Sequence, residues 1–198
     1  MNFEVNGSFL KLYLDVGEVI TTEGRKAAWI RGKVEIKTSV KGSIDLAVDV
    51  VADTLFVSTF TCRDEDAEIG FGLNASGSVV EQELGEGEEI IAKRGILLAV
   101  EPSAKIEMVA QKKMELSGNY RKVTGPGLAL WDIQGGGREF SLEKGVEMLV
   151  DPAFLAMYQP SIGMTAVRMH GAKQKAGSNA ELSMTMLRGP GKVWLQNR

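Results

Sequence analysis

The stretch LYLDVGEVITTEGRKAAWIRGKVEI, residues 12–36, decides the fold. Apolar and polar residues alternate up to an acidic turn at Gly17. A short apolar run follows, then a second turn at Gly24 and a further alternating run. Strict alternation over a few residues marks a half-buried strand, and glycine between such runs marks a turn. The pattern recurs as EQELGEGEEIIAKRGILLAVEPSAKIEM (81–108) and as EFSLEKGVEMLVDPAFLAMYQPSIGM (139–164). Gly17, Gly87 and Gly145 fall in equivalent places, and so do Gly24 and Gly95, with Ala153 as the departure in the third copy. Recurrence of this kind is read before any local feature, because it sets the architecture.

Working outward, each of the last two copies closes on Gly-Pro-Gly followed by an alternating run with a tryptophan. These are Gly125, Pro126 and Gly127, then Gly189, Pro190 and Gly191; DEDAEIGFGL (64–73) stands in that place in the first copy. Proline then glycine predicts a type II hairpin turn. A phosphate cradle would need a following helix and a Lys-Ser or Lys-Thr pair, and neither copy has them. The three glycines at 135–137 read as a joint. One compact domain over 1–198 is expected, with units at about 9–78, 79–138 and 139–198.

Period two also predicts buried faces. Leu10, Leu12 and Leu14 share one, Ile44, Leu46, Val48 and Val50 another, and Leu182, Met184 and Met186 a third. Helical periodicity is scarce; DPAFLAMY (151–158) is the one place where a helical turn is expected, with Asp151 as its cap. The expected class is all-β, with many short strands.

Composition narrows function. A chain of 198 residues buries roughly 70% of the surface its unfolded form exposes, so it needs no staple to fold. Cys62 is the only cysteine and His170 the only histidine. A transition-metal site or a Ser-His-Asp or Cys-His arrangement would need more than these supply. No cofactor, metal site or catalytic residue is therefore expected. Asp64, Glu65 and Asp66 lack the spacing of a calcium loop and read as a solvated turn. Carboxylates are plentiful, but no spacing picks out a hydrolytic pair. Trp29, Trp131 and Trp194 read as core or subunit-contact residues.

The net charge of −3 argues against a nucleic-acid partner. Its distribution is uneven: residues 81–92 carry five Glu and no Lys or Arg, and residues 168–198 carry six Lys or Arg against Glu181 alone. These blocks are solvated faces, or complementary contacts between subunits, or a patch for an anionic surface. No signal peptide and no transmembrane helix are expected, and a cytoplasmic location fits the lone cysteine.

Five stretches carry a resemblance to a known family: GEVITTEGRKAAWIRGKVEI (17–36), TLFVSTFTCRDEDAEIGF (54–71), IIAKRGILLAV (90–100), LEKGVEMLVDPAFLAMY (142–158) and RGPGKVWLQNR (188–198). The chain resembles the altered-inheritance-of-mitochondria protein 24 family over nearly its whole length. Gly-rich insertions found in many members are short here, at VKGSIDLAV (40–48) and HGAKQKAGSNA (170–180). The resemblance implies three β-sandwich or short double-stranded β-helix units, each like a subunit of the tryptophan RNA-binding attenuation protein, about a pseudo-threefold axis. It supplies no catalytic residues. The three-unit β-fold, the lack of catalytic residue sets and the opposed charge blocks point to a non-enzymatic scaffold or binding module, with a homo-oligomer as the expected state, and the resemblance extends this to peripheral membrane contact. A small-molecule sensor with its ligand between β-units is the alternative, and a carboxylate hydrolase ranks third.

Overall fold

The computed structural model describes residues 1–24, 26–41, 55–74, 77–109, 120–168 and 183–197. The expected face at Ile44–Val50, together with Leu182, His170 and the insertion at 170–180, lies outside them.

Nineteen strands make the described protein, which is all-β. After β1 (Asn2–Asn6), the chain runs through three series of six. The first is β2 (Phe9–Leu14), β3 (Val19–Glu23), β4 (Ala27–Arg31), β5 (Val34–Lys41), β6 (Leu55–Cys62) and β7 (Ala67–Gly72). The second is β8 (Gly77–Leu84), β9 (Glu89–Lys93), β10 (Leu97–Val100), β11 (Lys105–Met108), β12 (Tyr120–Thr124) and β13 (Gly127–Gln134). The third is β14 (Arg138–Leu142), β15 (Glu147–Val150), β16 (Leu155–Tyr158), β17 (Gly163–Arg168), β18 (Ser183–Arg188) and β19 (Gly191–Leu195).

Each series pairs its strands the same way, always antiparallel. The sixth strand lies between the first and the third. The fifth lies between the second and the fourth. Two three-stranded sheets result, and the apolar residues of both enter one core. In the first series that core holds Leu10, Leu12 and Leu14 from β2 with Ile20, Phe60, Ile69 and Phe71. The third and sixth strands slip register once in every series, between Ala27 and Trp29, Leu97 and Ala99, and Leu155 and Met157. A bulge kept at one position is a designed bend. It marks Ala27, Leu97 and Leu155 as equivalent residues.

The second strand of one series also pairs with the third strand of the next. β3 meets β10 at Thr21 and Val100, and β9 meets β16 at Ile91 and Tyr158. These junctions fuse the sheets into two of six strands, β5-β6-β3-β10-β13-β8 and β11-β12-β9-β16-β19-β14. A closed ring about a pseudo-threefold axis would add a third junction, between β15 and β4. Among the described residues each of those strands instead ends its sheet, in β15-β18-β17 and β1-β2-β7-β4.

Three local expectations are corrected. Residues 151–154 form a single turn, in which Asp151 Oδ1 accepts from Ala153 N at 2.8 Å, and the chain then enters β16 rather than a helix. On β18 the buried residues are Thr185 and Leu187, and Met184 and Met186 lie on the outer face, half-buried. Pairing to β15 sets this phase, because Val150, which is buried, lies opposite Thr185. The Gly-Pro-Gly segments do not close hairpins: β12 and β13 pair with different strands, so Gly125 and Pro126 carry the chain from one sheet to the facing one. The Gly125–Pro126 and Gly189–Pro190 bonds are cis.

At these crossings the chain passes against the turn between the first and second strands. A Cβ on Gly125 would lie 2.4 Å from the Gly85 oxygen, and one on Gly189 would lie 2.2 Å from the Glu143 oxygen. Gly17, Gly87 and Gly145 occupy the corresponding first-to-second turns at φ +85°, +73° and +83°. Gly189→Ala is expected to lower stability by about 1–3 kcal/mol through overpacking. Gly163→Ala, whose Cβ would meet nothing closer than 3.7 Å, is the tolerated control. Urea denaturation of the two variants checks the contrast.

Candidate functional site

Polar side chains go inside at one repeated position. Ser58, Arg121 and Thr185 lie opposite Thr22, Ala92 and Val150 on their second strands, which makes them equivalent. All three are buried. On β12 the neighbours Tyr120 and Arg121 are both 1% exposed, so this strand is covered on both faces. Ser58 Oγ lies 2.9 Å from Thr38 Oγ1. Arg121 Nε donates to Glu23 Oε1 at 2.8 Å, joining the second repeat to the end of β3 in the first.

Further ties converge at this junction. Gly95 N donates to Glu23 Oε2 at 3.3 Å, and Arg94 Nε stands 3.9 Å from Glu23 Oε1. Lys26 Nζ donates to the oxygens of Gly95 and Leu97. Asp132, buried on β13, accepts from Asn74 N at 2.9 Å and from Asn74 Nδ2 at 2.7 Å. At the second junction Lys93 Nζ donates to Ala153 O at 2.6 Å. Glu23 and Lys93 are equivalent, so one strand position ties each pair of repeats with opposite charge chemistry.

Burial sets the electrostatics here. Desolvation pushes Lys26 down to about 8, against the pull of Glu23 and Asp132. It pushes Tyr120 up to about 12, and Tyr158, whose ring meets Tyr120 edge-on at 6.2 Å, up further.

Two clefts among the described residues each lie on one terminal repeat, and the second is lined by Ser58 of the repeated polar position and its partner Thr38. The first encloses about 430 Å³ beside β15, among Arg138, Phe140, Met148, Leu149, Phe154 and Gln196. The second encloses about 440 Å³ behind β4, among Ala27, Ile30, Ile36, Thr38, Ser58 and Phe60. Both are mainly apolar.

Other residues noted in the sequence fall as follows. Cys62 is buried, its Sγ 3.4 Å from Leu14 O and 2.9 Å from Asp64 O. Asp64–Asp66 form an exposed turn in which Glu65 N donates to Asp64 Oδ1. No metal-binding group of three or more His, Cys, Asp or Glu occurs among the described residues. Trp131 and Trp194 are buried, and Trp29 lies over Gly70 with its ring edge-on to Phe9 at 5.2 Å. Of the basic block, Arg188 pairs with Glu147 at 2.8 Å and Lys192 with Glu139 at 2.7 Å, both within the third repeat. Glu81 and Glu83 line β8, an outer strand of its sheet. No helix among the described residues is long and apolar enough to cross a membrane. Sequence reasoning missed the Arg121–Glu23 pair. The available signal was alignment of the fifth strands, which stacks Ser58, Arg121 and Thr185.

Fold and site together define an all-β protein of repeated strand pairing, whose buried charges join one repeat to the next. The model of the mitochondrial biogenesis AIM24 family matches residues 3–198, and the chain belongs to that family. The fold is similar to that of a crystal structure from Streptococcus pyogenes, with a TM-score of 0.74 at 20% identity, over 100% of this chain and 92% of that one. A search of curated proteins finds no match.

Two outcomes are expected. Removing one partner of a buried ion pair strands the other charge, so Arg121→Met should cost about 3–5 kcal/mol. The double variant Arg121→Met, Glu23→Leu should cost less than the sum of its single changes, as denaturation of all four proteins would show. The unfolded chain holds the Lys26 proton up to about pH 10.4, and the folded chain releases it near 8. Between these values the unfolded state binds more protons, so the Lys26 contribution to stability rises with pH. Urea midpoints at pH 7.5 and 9.5 should rise more in the native protein than in Lys26→Met.

Proposed function

We propose that this protein is a non-enzymatic scaffold or binding module that works as a homo-oligomer. One observation carries the reading: the two clefts of about 430 and 440 Å³ are mainly apolar and open beside strands that end their sheets. Apolar surface beside an unpaired edge serves association. The buried charges support the same reading, because Glu23, Arg121, Lys26 and Lys93 join repeats. An arrangement like the tryptophan RNA-binding attenuation protein, with units repeated about an axis, agrees with equivalent junctions. Native mass spectrometry tests the proposal. A discrete oligomer at micromolar concentration is the expected result, and a monomer at every concentration contradicts it.

The small-molecule sensor has its own support. The cleft beside β15 has the size of a ligand site and combines Arg138 with Phe140, Phe154 and Gln196. The Gln196 Oε1 atom there is buried without a hydrogen-bond partner. Thermal-shift screening against amino acids and nucleotides should find a stabilising compound if this reading holds. No stabilisation across the panel, with Arg138→Ala behaving like the native protein, contradicts it.

A further inference from the structure

The two internal junctions share one register. Val100 and Tyr158 occupy the same place, three positions after the equivalent residues Leu97 and Leu155. Their partners Thr21 and Ile91 are also equivalent, each two positions into the second strand. The rule therefore extends to the third junction without adjustable choice. Ile30 lies three positions after Ala27 and matches Val100 and Tyr158. Leu149 lies two positions after Glu147 and matches Thr21 and Ile91.

Burial separates the used junctions from the unused one. Val100 is 0% exposed and Tyr158 5%, whereas Ile30 is 37% exposed. Thr21 is 9% exposed, whereas Leu149 is 41%. Two aliphatic side chains stand in solvent at positions where the other repeats bury Val100, Tyr158 and Thr21 and half-bury Ile91. The flanking surface continues the pattern: the cleft behind β4 and the cleft beside β15 hold one of these residues each. Exposed aliphatic residues also stand on the outer strands β1 (Val5) and β5 (Ile36, Val40), so exposure alone does not single out β4 and β15. What does is that Ile30 and Leu149 occupy the junction positions of the repeat.

Resting on the self-association proposed above, we infer that a second copy of this chain completes the missing junction. β15 of one copy pairs antiparallel with β4 of the next, with Leu149 opposite Ile30 and Val150 opposite Trp29. Among the described residues of one chain the strands end separate sheets, and neither cleft is lined by residues of the other repeat, so the partner is another molecule. The contact is head-to-tail, because the two surfaces differ. Each copy keeps one free β4 and one free β15 until a ring closes or a fibre grows. The occupant is specified by the junctions already in the fold: it must offer a second strand with an aliphatic or Thr side chain at its third residue.

Cysteine pairing tests the register. Opposed residues on antiparallel strands have Cα atoms about 4.5–5.5 Å apart, within disulfide range. Ile30→Cys and Leu149→Cys are prepared singly and as a double variant, with native protein as control for the buried Cys62. Circular dichroism checks folding, and Leu149→Lys provides an edge-blocked form. Under mild oxidation, a disulfide-linked dimer is expected when the single variants are mixed. Neither variant alone should give one, and Leu149→Lys should shift the native mass spectrum towards monomer, whereas an unchanged oligomer in Leu149→Lys would overturn this junction. Self-linked dimers of a single variant would overturn the head-to-tail arrangement. An intramolecular disulfide in the double variant would also overturn it, showing that the chain closes on itself. Native mass spectrometry separates the remaining cases. An oligomer without mixed cross-links overturns this junction and leaves self-association standing, and a monomer at every concentration overturns both.

Discussion

Backbone pairing along strand edges is the constraint on which the structure depends. A strand at the end of a sheet leaves a row of N–H and C=O groups that must find water or another strand. In this protein the second strands of the first and second repeats are such edges until the third strand of the next repeat covers them. The repeats are therefore joined by sheet extension and not only by apolar contact. The core follows: Leu84, Ile90, Trp131, Met157 and Trp194 belong to one cluster that runs from the second repeat into the third. The buried polar residues follow too. Glu23 and Lys93 sit at the end of a joining strand, where each can reach the backbone of the next repeat.

The repeats have diverged around this shared geometry. Ser58, Arg121 and Thr185 fill one position with three different side chains, and only the arginine calls for a carboxylate, which Glu23 supplies. Pairing opposite charges at 1% and 7% side-chain exposure adds little net stability, because desolvation offsets the attraction. It does penalise any arrangement that separates them, and so favours the first repeat beside the second. Ile30 and Leu149 illustrate the other side of divergence. They stand 37% and 41% exposed at the positions where the other repeats place their junction residues.

Much of this architecture was legible in the sequence. Strand identity came from period two, which placed Leu10, Leu12 and Leu14 inside, where they are. The three-fold recurrence came from spacing, with Gly17, Gly87 and Gly145 marking the same turn. Phase failed at Met184 and Met186, because apolar content decided the inward face in the sequence and pairing with β15 decides it in the molecule. Hairpin closure failed at Pro126 and Pro190, because local turn chemistry does not reveal that the flanking strands belong to facing sheets. Arg121 failed because a strand covered on both faces has no alternation, so its arginine reads like surface charge beside Lys122. The clefts were invisible for a related reason: they depend on which strands are left without neighbours, a property of the whole assembly.

The central claim is that one rule of strand pairing operates within the chain and again between copies. Amide hydrogen exchange at β4 and β15, measured across a range of protein concentrations against β10 and β16, tests it most directly. The account predicts that exchange at β4 and β15 slows towards that of β10 and β16 as concentration rises, while the other outer strands stay unchanged. Exchange at β4 and β15 that remains fast and independent of concentration would contradict it.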